Sequence, residues 1–113
     1  MDKSKDIDAF CIDGKLPEEY VDEMVAFFKI LGDESRVRIL HALSAGELCV
    51  SDLVDAVELS QSSVSQQLRL LRLNGLVKAR REGRNIYYAL DDNHVMDIFN
   101  TSLRHVAHKF ENH

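Results

Sequence analysis

Four side chains of the kinds that bind transition metals stand near the end of the sequence: Asp92, His94, His105 and His108. Neutral imidazole and carboxylate suit tetrahedral Zn(II), with Co(II) as a mimic, and four such donors keep no vacant position for a substrate. The surrounding stretch, capped by Asp91 or Asp92 and running to about Phe110, puts Val95, Phe99, Leu103, Val106 and Phe110 on one stripe and reads as a helix. His94 and His105 are 11 residues apart. At 100° per residue they fall within roughly 20° of one face, but lie ~16 Å apart along the axis. One copy of the helix cannot close the site. Two antiparallel copies can. His94 lies as far before the midpoint between Phe99 and Asn100 as His105 lies after it, and Asp92 and His108 flank nearly the same point. Each ion is expected to take Asp92 and His94 from one chain and His105 and His108 from the other, giving two Zn(II) per dimer. The i, i+3 spacing of His105 and His108 suits joint ligation from adjacent turns.

A second set of residues has the chemistry of nucleic-acid contact. Ser51 is read as the cap of a short helix through Leu53, Val54 and Val57; Glu58-Leu59 then turns the chain, and Ser60 caps a helix to about Leu73, closed by Asn74-Gly75. This is the helix-turn-helix layout. On the second helix Val64, Leu68 and Leu71 belong in the core. Ser62, Ser65, Gln66 and Arg69 fall on the opposite face, with Gln61 and Ser63 at its start. Gln pairs bidentately with adenine and Ser serves several bases, so these groups suit base readout in a major groove. Two strand-like runs, Leu76–Arg81 and Ile86–Leu90, are joined by Glu82-Gly83-Arg84-Asn85 and form a hairpin wing. Arg80, Arg81 and Arg84 on that wing, with Arg69 and Arg72, suit phosphates or the neighbouring minor groove.

Charge supports this reading only when taken locally. The chain carries −5 overall, yet residues 61–90 carry +5 and the rest −10. Phosphate attraction is screened beyond about 8 Å at physiological salt, so a basic patch on an acidic body can still bind DNA.

The elements that must position these residues fit one domain. The chain has 113 residues with 45% apolar content, enough for one modest core. Residues 1–15 read as a flexible acidic tail, and 16–113 as the folded DNA-binding and dimerisation domain. Pro17 opens a first helix whose Val21, Met24, Val25, Phe28 and Leu31 recur at helical spacing up to Gly32; so apolar a helix is expected to face a second subunit. Asp33 caps the next, with Val37, Leu40 and Leu43 inward and His41 partly buried. The expected class is mainly α with a β-hairpin wing. No apolar run reaches a membrane span, no secretory signal is legible, and two cysteines make no disulfide scaffold, so a cytoplasmic protein is expected.

From about Val25 to Phe110 the chain resembles the ArsR/SmtB family of metal-responsive repressors. The matching stretches are Phe28 to Leu40, Glu47 to Leu53, Ser60 to Leu71 and Arg84 to Leu90; the end, from Asp91 to His108, is similar to members with a zinc site on the last helix. The resemblance implies a winged helix-turn-helix homodimer held by its first and last helices. It implies binding of double-stranded, palindromic operator DNA when metal-free and release by zinc, with no membrane or small organic substrate as partner. It also implies a hydrogen bond from His105 back towards Asn74-Gly75. Soft-metal members carry Cys-Val-Cys where this chain has Cys49-Val50-Ser51, which disfavours a thiolate-rich site. Cys11 and Cys49 leave a second metal site or a thiol-based redox or sulfide switch as the alternative. A hydrolytic metalloenzyme lacks a nucleophile or Gly-rich loop here, and a winged-helix module without a DNA role sits poorly with the Ser/Gln face; the chain is not expected to be an enzyme.

Overall fold

The computed structural model describes residues 11–111, so the sequence expectation for residues 1–10 of the tail lies outside the described residues. The chain divides after Gly32 into two compact units. In the first, Ile12 and Lys15 exchange backbone hydrogen bonds of 2.7 and 3.0 Å around a tight turn. Asp13 and Gly14 both adopt positive φ there, 53° and 74°. Helix α1 spans Glu18–Leu31, with Pro17 at its cap position, Glu18 and Glu19 at its positive end and Lys29 in its last turn. None of its residues is buried, and Met24, Val25 and Phe28 are about half exposed at 48%, 47% and 55%.

The second unit begins at Asp33, whose carboxylate accepts from the Arg36 N–H at 3.2 Å and caps α2, Glu34–Leu43. Then come β1 (Leu48–Cys49), α3 (Val50–Val57), α4 (Gln61–Leu73), β2 (Val77–Glu82), β3 (Asn85–Leu90) and α5 (Asn93–Glu111). The core gathers Ile39, Leu40 and Leu43 of α2, Leu53 and Val57 of α3, Val64, Leu68 and Leu71 of α4, then Leu76, Val77, Leu90 and Val95. Burying apolar side chains at roughly 25 cal/mol per Å² holds these helices against the sheet. Helix α4 ends as expected at Asn74-Gly75: Gly75 takes φ 74°, and the Leu76 N–H reaches back to the Leu71 carbonyl at 2.9 Å, a Schellman closure.

Four local features differ from the sequence reading. The hairpin gains a third strand, because β1 pairs antiparallel with β3 (Leu48 opposite Tyr88, Cys49 opposite Tyr87) in the order β1-β3-β2. Cys49, not Ser51, occupies the cap position of α3, and its side chain does not cap; pairing with β3 pulls the chain into extended geometry one residue before the helix. Val37 is 43% exposed, and its inward place is taken by Ile39, fully buried. His41 is exposed rather than partly buried, with its ring 6.2 Å from that of Phe99.

Candidate nucleic-acid interface and metal centre

Helices α3 and α4 are joined by Glu58, left-handed at φ 57°, then Leu59 and Ser60. Ser60 Oγ accepts from the Ser63 N–H at 3.0 Å and donates to Ser63 Oγ at 3.0 Å. Ser63 is thus part of the cap and half-buried, unlike its neighbours. Ser62, Ser65, Gln66 and Arg69 are all exposed on the face opposite buried Val64, Leu68 and Leu71, as the spacing predicts, and Gln61 is exposed at the start of the helix. Gln67, on the flank, accepts from Arg36 Nε at 2.9 Å and pins α4 to α2. A helix so anchored presents its outer side chains from a fixed backbone.

Beside α4 stands the β2–β3 hairpin. Glu82 pairs with Asn85, leaving a two-residue turn with Gly83 at φ 63°, the pattern of a II′ turn. Side chains alternate across a strand, so Val77, Ala79 and Arg81 share one face of the sheet with Tyr88, and Lys78, Arg80 and Glu82 share the other with Tyr87. Tyr88 and Leu68, Ser65, Arg69, Arg72 and Leu73 of α4 line a cleft between the helix and the wing. Arg81 is exposed, its Nε donating to the Gly83 carbonyl at 3.3 Å, and Arg84 stands exposed at the tip. Among the described residues no carboxylate forms an ion pair with Arg69, Arg72, Arg81 or Arg84.

Arg80 is different. Its guanidinium meets both carboxylate oxygens of Glu47, Nε to Oε2 at 2.8 Å and Nη2 to Oε1 at 2.8 Å, and Nη1 meets Glu82 Oε2 at 2.6 Å. The hydrogen bond from Arg80 holds the Glu47 carboxyl below the usual carboxylate range. The strand alternation that separates Arg80 from Arg81 was available in the sequence; the Glu47 partner, 33 residues away, was not.

On α5 the four metal-type side chains are all exposed. Asp92 caps the helix: its Oδ1 accepts from the Val95 N–H at 2.9 Å. That hydrogen bond, with the nearby His94, holds the Asp92 carboxyl below its ordinary value. Oδ2 lies 3.8 Å from His94 Nδ1. Two donors from one chain are therefore brought together with the chemistry an N/O-ligated divalent ion takes. His105 and His108 lie further along the same helix, and within one chain no group of three potential ligands gathers among the described residues. The apolar stripe along another side of the same helix is largely uncovered, with Leu103 47%, Val106 46% and Phe110 73% exposed and only Val95 buried. Cys49 Sγ lies 3.2 Å from Ser51 Oγ and 3.2 Å from Asp52 Oδ2, at the start of α3. Cys11 belongs to the first unit.

A capped helix with an exposed Ser/Gln face, packed on a helix pair and followed by a basic hairpin, defines a winged helix-turn-helix protein. Residues 33–79 match the family described as "Bacterial regulatory protein, arsR family". The chain is 51% identical over 84 residues to a transcriptional repressor SmtB homolog of Synechocystis sp., covering 74% of this chain and 64% of that one. It is 42% identical over 84 residues to a cadmium resistance transcriptional regulatory protein CadC homolog of Staphylococcus aureus, covering 74% and 69%. Among solved structures it is similar to the homodimeric winged helix-turn-helix DNA-binding domain of Mb0332 from Mycobacterium bovis, with TM-score 0.78 and 29% identity over 85% of this chain and 89% of that one. This chain belongs to the ArsR/SmtB family of metal-responsive transcriptional repressors, regulators rather than enzymes. No described helix is long and apolar enough to cross a membrane.

Proposed function

We propose that this chain is a cytoplasmic, zinc-responsive transcriptional repressor that binds operator DNA as an apo-homodimer and is released when Zn(II) binds between subunits. The layout of α5 carries this reading: Asp92 and His94 are held together at its start, His105 and His108 stand exposed towards its end, and the apolar stripe along another side of the same helix lacks a cover. Such a stripe calls for a partner, and a second α5 running antiparallel brings the partner's His105 and His108 to Asp92 and His94. These four residues would hold the ion on each side of the two-fold axis; when bound, it supplies a cross-link between the two helices.

The chain's own residues do the rest. Gln61, Ser62, Ser65 and Gln66 read base edges from the major groove, and Ser63 holds the start of α4 rather than a base. Arg69 and Arg72 flank the cleft beside the wing, where the sugar-phosphate strand separating two adjacent grooves would run. Arg81 and Arg84 extend that contact towards the minor groove. The two α4 helices must sit about one DNA turn apart, so any shift at the crossing of the two α5 helices alters operator fit.

Loading the homodimer with Co(II) tests the assignment. Two ions per dimer with intense tetrahedral d–d bands and no thiolate charge-transfer band are expected. Both features should be lost in His105→Ala and kept in Cys11→Ser and Cys49→Ser. A response that follows the cysteines would replace this reading with a thiol switch.

A further inference from the structure

Arg80 sits midway along β2, an edge strand, on the outer face of a sheet whose three strands are joined by side chains as well as backbone. Strand β1 is only two residues long, so its pairing with Tyr88 and Tyr87 is a small share of what can hold it. Glu47, immediately before it, is gripped bidentately by Arg80 of β2, across the intervening β3. Bidentate guanidinium–carboxylate pairs fix orientation as well as distance. Glu82 takes the remaining nitrogen. The guanidinium carbon stands 4.9 Å from the centre of the Tyr87 ring, which belongs to that middle strand and fixes the plane of the group. The two carboxylates, Glu47 and Glu82, neutralise the guanidinium and the nearby Lys78, which also acts on Glu47, so the cluster holds no spare positive charge for a phosphate.

We propose that Arg80 is a positioning residue for the wing rather than a DNA contact. With Glu47 it braces the segment entering β1 across β3 to β2, and so sets the angle at which Arg81, Arg84 and Tyr88 stand beside α4. The consequence for operator binding rests on the repressor reading above; the brace itself is measurable without DNA.

The two roles predict opposite signs for one substitution. Were Arg80 a phosphate contact, Glu47→Gln would free it and tighten DNA binding. As a brace, Glu47→Gln weakens binding. Four variants of the full-length homodimer, Glu47→Gln, Arg80→Gln, Arg80→Lys and the Glu47→Gln/Arg80→Gln double, are compared with wild type. The DNA is a duplex that wild type selects from a random pool. Each single variant is expected to weaken binding about threefold to fivefold, the scale of an exposed bidentate pair. The double variant should be no worse than either single, and Arg80→Lys should fail to rescue because an ammonium cannot grip two oxygens in one plane. The salt dependence of binding stays at the wild-type slope in all four. Without DNA, amide hydrogen exchange across 48–49 and 85–90 accelerates in every variant. Tighter binding by Glu47→Gln, a slope flattened by Arg80→Gln, or unchanged exchange overturns the proposal. Should wild type select no duplex, the operator reading fails while the exchange result still decides the brace.

Discussion

Raising salt is the perturbation whose effect the interface fixes most sharply. Each phosphate neutralised by a cationic side chain releases condensed counterion, and the logarithm of affinity falls with the logarithm of salt by about 0.9 per contact. Four guanidiniums per chain, Arg69, Arg72, Arg81 and Arg84, are exposed beside the recognition helix or on the wing and form no ion pair with a described carboxylate. Arg80 is spent on Glu47 and Glu82 and is left out. Both chains of a dimer together then give a slope of about −7, a loss of about 10⁴ in affinity between 50 and 200 mM salt. Fluorescence anisotropy on a labelled operator duplex reads this directly. Arg84→Gln, present in both chains, should flatten the slope by about 2. A wild-type slope shallower than about −3 would refute the reasoning, because the basic face would then not be lying on the backbone.

Other consequences are more local. Ser60→Ala removes the acceptor of the Ser63 N–H and should cost about 1 kcal/mol, seen in a thermal melt as a fall of about 4 °C, with little change in helix content. Asp92→Asn keeps an oxygen for the Val95 N–H but loses the carboxylate, so its melting temperature should stay near wild type while zinc affinity falls; Asp92→Ala should lose both. The folded Glu47 carboxyl lies below its ordinary value of 4.5, so its contribution to the wing is complete above that value and is lost as pH falls through the lowered one. Amide exchange in the sheet, corrected for the intrinsic rate, should therefore stay level from pH 7 to about 5 and rise only in stronger acid, and Glu47→Gln should abolish that rise.

The helices were legible because their ends are written in side chains. Asp33, Ser60 and Asp92 each cap where the sequence puts a cap, and Gly75 closes α4 with the conformation only glycine takes at ease. What escaped depends on partners distant in sequence. Two residues, Leu48 and Cys49, are too few to show a strand period, and only the Tyr87–Tyr88 edge makes them one. Helical spacing picked Val37 with Leu40 and Leu43, yet the helix turns Ile39 inward, and Val37 looks into a groove with His41, Phe99 and Leu103. Among the DNA-facing candidates, Ser63 and Arg80 have the right chemistry but are held by Ser60 and by Glu47. The Asp92–His94 pairing was readable because both lie at one helix start; whether the partner's histidines reach them is a property of two chains.

Operator affinity of the homodimer, titrated by anisotropy with and without Zn(II) at fixed salt, tests the account most directly, together with zinc affinity measured with and without operator. The account predicts that zinc weakens operator binding about 5–150-fold and that operator weakens zinc binding by the same factor. It also predicts that both effects vanish in His105→Ala. Equal operator affinity in the presence and absence of zinc would contradict it.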